Sequence, residues 1–132
     1  MLLVKTKIDQ SSLHGIGLFA DEFIAKGTAV WRFTPSLDIK LTEEKFMHLP
    51  KLARDVFIYY GYHTPADHTW ILPFNDSRFF NHSRNPNVGS VEVPDDQEGI
   101  QIALRDIKKG EELLCDYREF DVDSLEGKEN YI

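Results

Sequence analysis

Apolar and polar residues alternate with a period of two over several short runs of the chain. In LLVKTKI, Leu2, Val4, Thr6 and Ile8 share one face and Leu3, Lys5 and Lys7 the other, which predicts a half-exposed strand. AVWRF sets Ala29, Trp31 and Phe33 opposite Val30 and Arg32. TWILPF sends Trp70, Leu72 and Phe74 to one side, and Pro73, which has no N–H to give to a ladder, predicts an edge strand or a bulge there. IQIAL alternates Ile100, Ile102 and Leu104, and the run from Glu112 to Tyr117 reads as one more strand. Lys-Gly turns close the connection ADEFIAKGT and precede that last run, and the acidic DDQEG at 95–99 predicts a hairpin loop.

The middle of the chain follows a different period. Thr42 before Glu43 and Glu44 has the form of an N-cap with acids in the first turn, where the helix dipole favours them. Pro50 opens a second helical segment in which Leu52, Val56 and Tyr59 share a face at i, i+4 and i+7, and Gly61 stops it. The expectation is a mainly β protein with a short helical insert at about 36–68.

Composition narrows the class. A chain of 132 residues with 42% hydrophobic and 12% aromatic residues is one packed domain, 1–132, with no internal repeat. A net charge of −7 argues against direct nucleic-acid binding, which needs Lys and Arg to displace phosphate counterions, and favours a basic peptide as partner. The single Cys115 excludes an internal disulfide or a cysteine-rich zinc site, so a reducing intracellular compartment is expected, nuclear or cytoplasmic. Neither a signal peptide nor a membrane span is legible.

Candidate chemistry concentrates in two places. His14 to Ala20, HGIGLFA, has a Gly-x-Gly pair before an apolar run, suited to a tight turn or to close backbone approach to a ligand; it lacks the third glycine and the βαβ context of a dinucleotide fold. RFFNHSRNPNV, Arg78 to Val88, packs three Asn and a His into eleven residues. The five histidines show no metal-ligand spacing, Cys115 reads as a small buried hydrophobe, and no Gly-x-Ser-x-Gly elbow is present.

Taken in order, Gly15-Ile16-Gly17, Arg78-Phe79-Phe80-Asn81-His82-Ser83 with Pro86-Asn87, and Gly110-Glu111-Glu112-Leu113 with Asp116-Tyr117 resemble the SET-domain protein-lysine methyltransferases. The resemblance covers about 13–35 and 69–117, and the helical middle falls where that family carries its variable insert. It implies a β-clip-like array of small sheets with a C-terminal pseudoknot, in which the Asn-His-Ser segment passes under a loop of the C-terminal part. It implies an S-adenosylmethionine pocket, with S-adenosylhomocysteine as product, lined by His14, Gly15, Ile16, Gly17, Arg78, Asn81 and His82. A lysine-containing, basic protein or peptide enters a channel from the other face. Tyr117 matches the catalytic tyrosine, and Phe33 and Cys115 stand where that channel has aromatic residues.

Arg84 replaces a cysteine that in many relatives binds zinc with a cysteine-rich tail, so no metal is expected. The segment 118–132 then closes the cofactor pocket, through Phe120 or Tyr131 stacked on the adenine or clamped against the core. The resemblance implies lysine methylation, with a histone-like tail as the first substrate; a non-histone protein, or a noncatalytic peptide- or partner-binding module, is the alternative.

Overall fold

The computed structural model describes residues 1–121, so Tyr131 and the end of the predicted closing segment lie outside the described residues. Strand β1 (Thr6–Gln10) turns back through Gly15 into β2 (Ile16–Ala20), pairing Ile8 with Leu18 and Gln10 with Ile16. Gly15 holds φ at +47°, a left-handed conformation that suits glycine. The first strand starts later than LLVKTKI suggests. Leu2 makes only an isolated bridge to Trp31, and Ile8, in a ribbon of two strands, is exposed.

After a turn at Gly27, β3 (Ala29–Arg32) follows. A register shift between Ala29 and Trp31 breaks the expected alternation there, so Val30 and Trp31 are both buried. Then come β4 (Ile39–Leu41), α1 (Glu43–Met47) and α2 (Lys51–Tyr60). Thr42 caps α1 as predicted, its hydroxyl accepting from the Lys45 N–H at 3.2 Å, and Gly61 closes α2. The predicted inward face of α2 is corrected: Leu52 is 80% and Tyr59 72% exposed, whereas Phe57 is 6% exposed. Phe57 meets Phe46 edge-on at 6.1 Å, and Phe46 stacks on Trp70 at 4.2 Å, so three aromatic rings form a small second core under the insert.

Next are β5 (Tyr62–His63) and β6 (Trp70–Leu72). In the sheet β4-β6-β5, β6 is central rather than an edge strand. Pro73 is compatible with this because the strand ends at Leu72, before a missing N–H would matter. Strand β7 (Asn81–His82) follows a 3₁₀ turn over Asn75–Phe79. Strands β8 (Val88–Val93) and β9 (Asp96–Ala103) then form a hairpin whose turn is tighter than 95–99, since most of that stretch already belongs to β9. β9 also pairs with β3, giving the sheet β3-β9-β8.

The final strand, β10 (Leu114–Cys115), is shorter than the run from Glu112 to Tyr117. It runs parallel to β7, Leu114 beside Asn81 and Cys115 beside His82. On its approach it touches β2, where Phe19 bridges Glu112 and the Leu113 N–H donates to the Leu18 carbonyl at 2.7 Å. The chain bends at once into a 3₁₀ turn, Tyr117–Glu119, capped by Asp116. Leu18, Val30, Val88, Ile107 and Leu113 are fully buried in the main core between these sheets. The architecture is the predicted one, mainly strands in small sheets with two short helices.

Candidate functional site

Asn87, which is buried, ties the C-terminal strand into place. Its side-chain Nδ2 donates to the Glu112 carbonyl at 2.8 Å, and its Oδ1 accepts from the Leu114 N–H at 2.8 Å. An amide satisfies both polar groups of a strand that would otherwise lack partners on that side. β10 is thus pinned between β7 and Asn87, and it delivers Cys115 and Tyr117 to the lining of a cleft.

That cleft has a volume of about 1180 Å³, roomy enough for a nucleoside-sized ligand together with a side chain. One wall is the β1–β2 turn, His14, Gly15 and Ile16; beside it lie Arg78, Phe79, Phe80 and Asn81. The floor and far wall bring Trp31, Tyr62, Cys115, Tyr117 and Phe120. Predicted residues 14–16, 78, 81, 115, 117 and 120 therefore meet in one cavity although they are up to about a hundred positions apart.

Three predicted residues do not line it. Gly17 faces the Glu112 carboxylate: a Cβ there would lie 2.8 Å from Oε1, so a side chain fits only if that carboxylate shifts. Phe33 is half-buried against the main core. His82 turns its ring away from the cleft, where Nδ1 accepts the Tyr117 N–H at 3.1 Å and the ring lies 5.3 Å from that of Tyr117. Nδ1 as acceptor places the proton of the neutral ring on Nε2, which is buried with no partner among the described residues. The backbone of Tyr117 is thereby held from beneath.

The Tyr117 hydroxyl donates to the Phe80 carbonyl. Both oxygens belong to residues of the cleft wall, so an entering amine meets acceptors there rather than an apolar surface. The Asn81 side chain is oriented by its own donor group: Nδ2 donates to the His14 carbonyl at 2.9 Å and the Ile16 carbonyl at 3.3 Å, which leaves Oδ1 as the acceptor. Gly15 has nothing within 4 Å of where a Cβ would stand, so its bare backbone borders open space in the cleft.

Electrostatics differ from one residue to the next. Burial pushes the Tyr62 hydroxyl well above its ordinary range, assisted by the negative charges of Glu98, Asp38 and Asp121. Burial likewise raises the Cys115 thiol, again with help from Glu119 and Asp116, so it stays protonated and unreactive. Asp116 is held below the usual carboxylate range by its hydrogen bonds from Arg118. The cleft lining includes Glu92, Asp96, Glu98, Glu119 and Asp121 and, among the described residues, the fixed positive charge of Arg78, while Arg32 and Lys40 pair with Asp96 and Glu98. Among the described residues, no group of three His, Cys, Asp or Glu is arranged to hold a metal.

Residues 15–118 match the family model of the SET domain. The chain belongs to the SET-domain family. An Arabidopsis thaliana protein named histone-lysine N-methyltransferase ASHH3 is 32% identical over 127 residues, a match covering 86% of this chain and 32% of that protein. The chain thus spans about a third of its curated relative. Among solved structures, a Plasmodium falciparum protein assigned as a histone methyltransferase superposes with a TM-score of 0.59 at 25% identity, covering 88% of this chain and 95% of the other. A chain of apo ctPRC2 with mutations in Ezh2 gives 0.68 at 26% identity, over 94% of this chain and 16% of that one.

Within this SET domain, two cleft-lining residues, Tyr62 and Trp31, and one residue behind the wall, Glu112, were not legible in the sequence. Trp31 reads as an ordinary strand residue and Tyr62 falls in none of the predicted elements, and nothing in their spacing marks them as cleft walls. Phe120 meets Tyr62 at 5.1 Å and Tyr117 at 5.8 Å, so it is both a cleft residue and an aromatic clamp, the two roles the sequence left open. Glu112, behind the wall, is absent from the lining. It sits in the quoted Gly-Glu-Glu-Leu motif, but its contacts with Ser11 and Asn81 depend on folding that brings positions 11, 81 and 112 together.

Proposed function

We propose that this SET domain is an S-adenosylmethionine-dependent protein-lysine methyltransferase acting on a basic protein segment such as a histone tail. The observation that carries the reading is the meeting, in one cleft, of the His14–Ile16 backbone, Asn81 and the Tyr117 hydroxyl. The chemistry of the cofactor fits the cleft. Its ammonium and ribose need acceptors and its adenine an apolar slot; the Asn81 Oδ1, the carbonyl-rich β1–β2 turn and the rings of Phe79, Phe120 and Tyr62 are of those kinds. When bound, the cofactor supplies an electrophilic methyl group on a positively charged sulfur.

The protein's residues prepare the amine. A lysine near its reference pKa of about 10.4 is almost wholly protonated at neutral pH and has no lone pair to attack with. Entry between Tyr62, Trp31, Tyr117 and Phe120 removes water from the ammonium and favours its neutral form. The Tyr117 hydroxyl oxygen and the Phe80 carbonyl accept from the amine's N–H groups and so aim the lone pair. Alignment of this kind supplies a large part of the rate enhancement in a displacement reaction. Glu92, Glu119 and Asp121, the lining acids outside the Arg32–Asp96 and Lys40–Glu98 pairs, support a substrate with further positive charge beside the target lysine.

Calorimetric titration with S-adenosylmethionine in the presence of a chelator tests the cofactor, and saturable binding without metal is expected. Incubation with labelled cofactor, a histone panel and cell lysate, followed by mass spectrometry, then identifies the labelled lysines. A folded protein that binds no cofactor overturns the reading; one that binds it but labels nothing leaves a peptide-binding module in its place.

A further inference from the structure

Outside the residues that touch the cleft, one cluster of polar side chains is joined to both halves of the cofactor wall. The Glu112 Oε2 accepts from the Ser11 hydroxyl at 3.1 Å and from the Asn81 Nδ2 at 3.4 Å. Ser11 Oγ in turn accepts from the N–H groups of Leu13 at 3.0 Å and His14 at 3.3 Å, and the Ser11 N–H closes the turn on the Gly15 carbonyl at 2.8 Å. Asn81 completes the circuit through the His14 and Ile16 carbonyls. One carboxylate therefore connects the β1–β2 turn to the Asn81 side chain, and Gly17 is bare because Glu112 Oε1 and Oε2 stand 2.8 and 3.1 Å from where its Cβ would be.

We infer that Glu112 is a positioning residue for the cofactor wall, resting on the proposed methyltransferase reading. It touches nothing in the cleft itself and is absent from the lining. Its work is to fix which atoms face the ligand. With its acceptor in place, Asn81 keeps Nδ2 towards the protein and Oδ1 towards the cleft, and Ser11 keeps the turn closed over Gly15. Without it, Ser11 loses its acceptor, the turn is left to its own internal bonds, and the Asn81 amide has one fewer reason to hold its orientation. The side chain acts through its shape and its acceptor rather than through its charge, since Ser11 and Asn81 are both neutral donors.

Three variants test this. Glu112→Ala removes the acceptor, Glu112→Gln keeps one in the same place, and Gly17→Ala forces the carboxylate off its seat. Cofactor Kd is measured by calorimetry, and Michaelis constants for cofactor and peptide are measured separately. Glu112→Ala and Gly17→Ala are expected to raise the cofactor Kd, and the cofactor KM with it, about tenfold, the size of losing one hydrogen-bonded constraint. The peptide KM at saturating cofactor should stay within about twofold. Glu112→Gln should bring the cofactor Kd back to within about threefold of wild type.

Circular dichroism and thermal melting of each variant identify any that fail to fold, and Glu112→Gln, which conserves volume, remains informative if the Ala variants do fail. A Gln variant as weak as the Ala variant overturns the inference, because charge rather than an acceptor would then matter. So does an Ala variant with lowered stability and unchanged cofactor Kd. If the wild-type protein binds no cofactor, the methyltransferase reading fails as well; if it binds and the Ala variant binds equally, only the role of Glu112 fails.

Discussion

Replacing Asn87 by Ala removes both side-chain bonds that hold the C-terminal strand. The Glu112 carbonyl loses its donor at 2.8 Å and the Leu114 N–H its acceptor at 2.8 Å, at a position where Asn87 is buried. An orphaned backbone group costs roughly 1–3 kcal/mol when fully buried. These two are partly buried, so each is set at the lower end and the pair at about 2–4 kcal/mol, a large share of the ~5–15 kcal/mol that holds a domain of this size together. Urea unfolding followed by tryptophan fluorescence measures it, since Trp31 and Trp70 report on separate cores. The midpoint should fall with the slope unchanged. Asn87→Asp sharpens the test. It keeps the acceptor for Leu114 but points a carboxylate oxygen at the Glu112 carbonyl, so at neutral pH it should be at least as unstable as the Ala variant and should recover as acid protonates it. An Ala variant within about 0.5 kcal/mol of wild type would refute the reasoning, because a loss that small is typical of surface sites away from any structural role.

Tyr117→Phe keeps the ring beside His82 but removes the hydroxyl, and kcat should fall by about two decades, as when one preorganised polar group is lost from a reacting centre, while cofactor Kd measured by calorimetry changes little. Cys115, buried and with its thiol raised above the ordinary range, should resist a disulfide reagent such as dithiobisnitrobenzoate in the native protein and react fully in denaturant; rapid native labelling would contradict its placement. Burial by itself would raise the Asp67 carboxyl, but hydrogen bonds from Thr64, Thr69 and Lys40 outweigh it and hold the group below the usual range. With a folded value depressed below the unfolded one, its contribution to stability is present above roughly pH 4 and is lost as pH falls further, so Asp67→Asn should flatten the acid limb of a stability-versus-pH curve.

Local chemistry was the legible part of the sequence. The Thr42 cap, the Gly61 stop and the Lys-Gly turns at Gly27 and Gly110 follow from the residues at those positions, because a cap or a positive φ is decided within a few residues. Which face of an element is buried is decided elsewhere. Leu52, Val56 and Tyr59 have helical spacing, yet Phe57 wins the interior because Phe46 and Trp70 offer it a flat aromatic surface. Ile8 alternates correctly, yet it is exposed beside the buried Leu18 with which it pairs. In β3, a bulge turned two neighbouring residues inward, and no period-two reading anticipates that. The site divides in the same way. Motifs found its backbone turn, its amide and its tyrosine, but Trp31, Tyr62 and Glu112 enter through contacts between segments 30 to 100 residues apart.

The parallel pairing of β10 with β7 also sets a timetable for the chain. During synthesis the β1–β2 ribbon and the insert helices can form as they emerge, since their partners lie close in sequence. Asn81 and the turn it bonds are exposed by then, with no Glu112 or Leu114 to meet. A nascent chain from which β7 but not yet β10 has emerged presents half of a binding wall, its amides and carbonyls open to water and to other chains. Chaperone capture of such a nascent protein is therefore expected to be greatest between the appearance of β7 and that of β10, and to end when the last strand slots in.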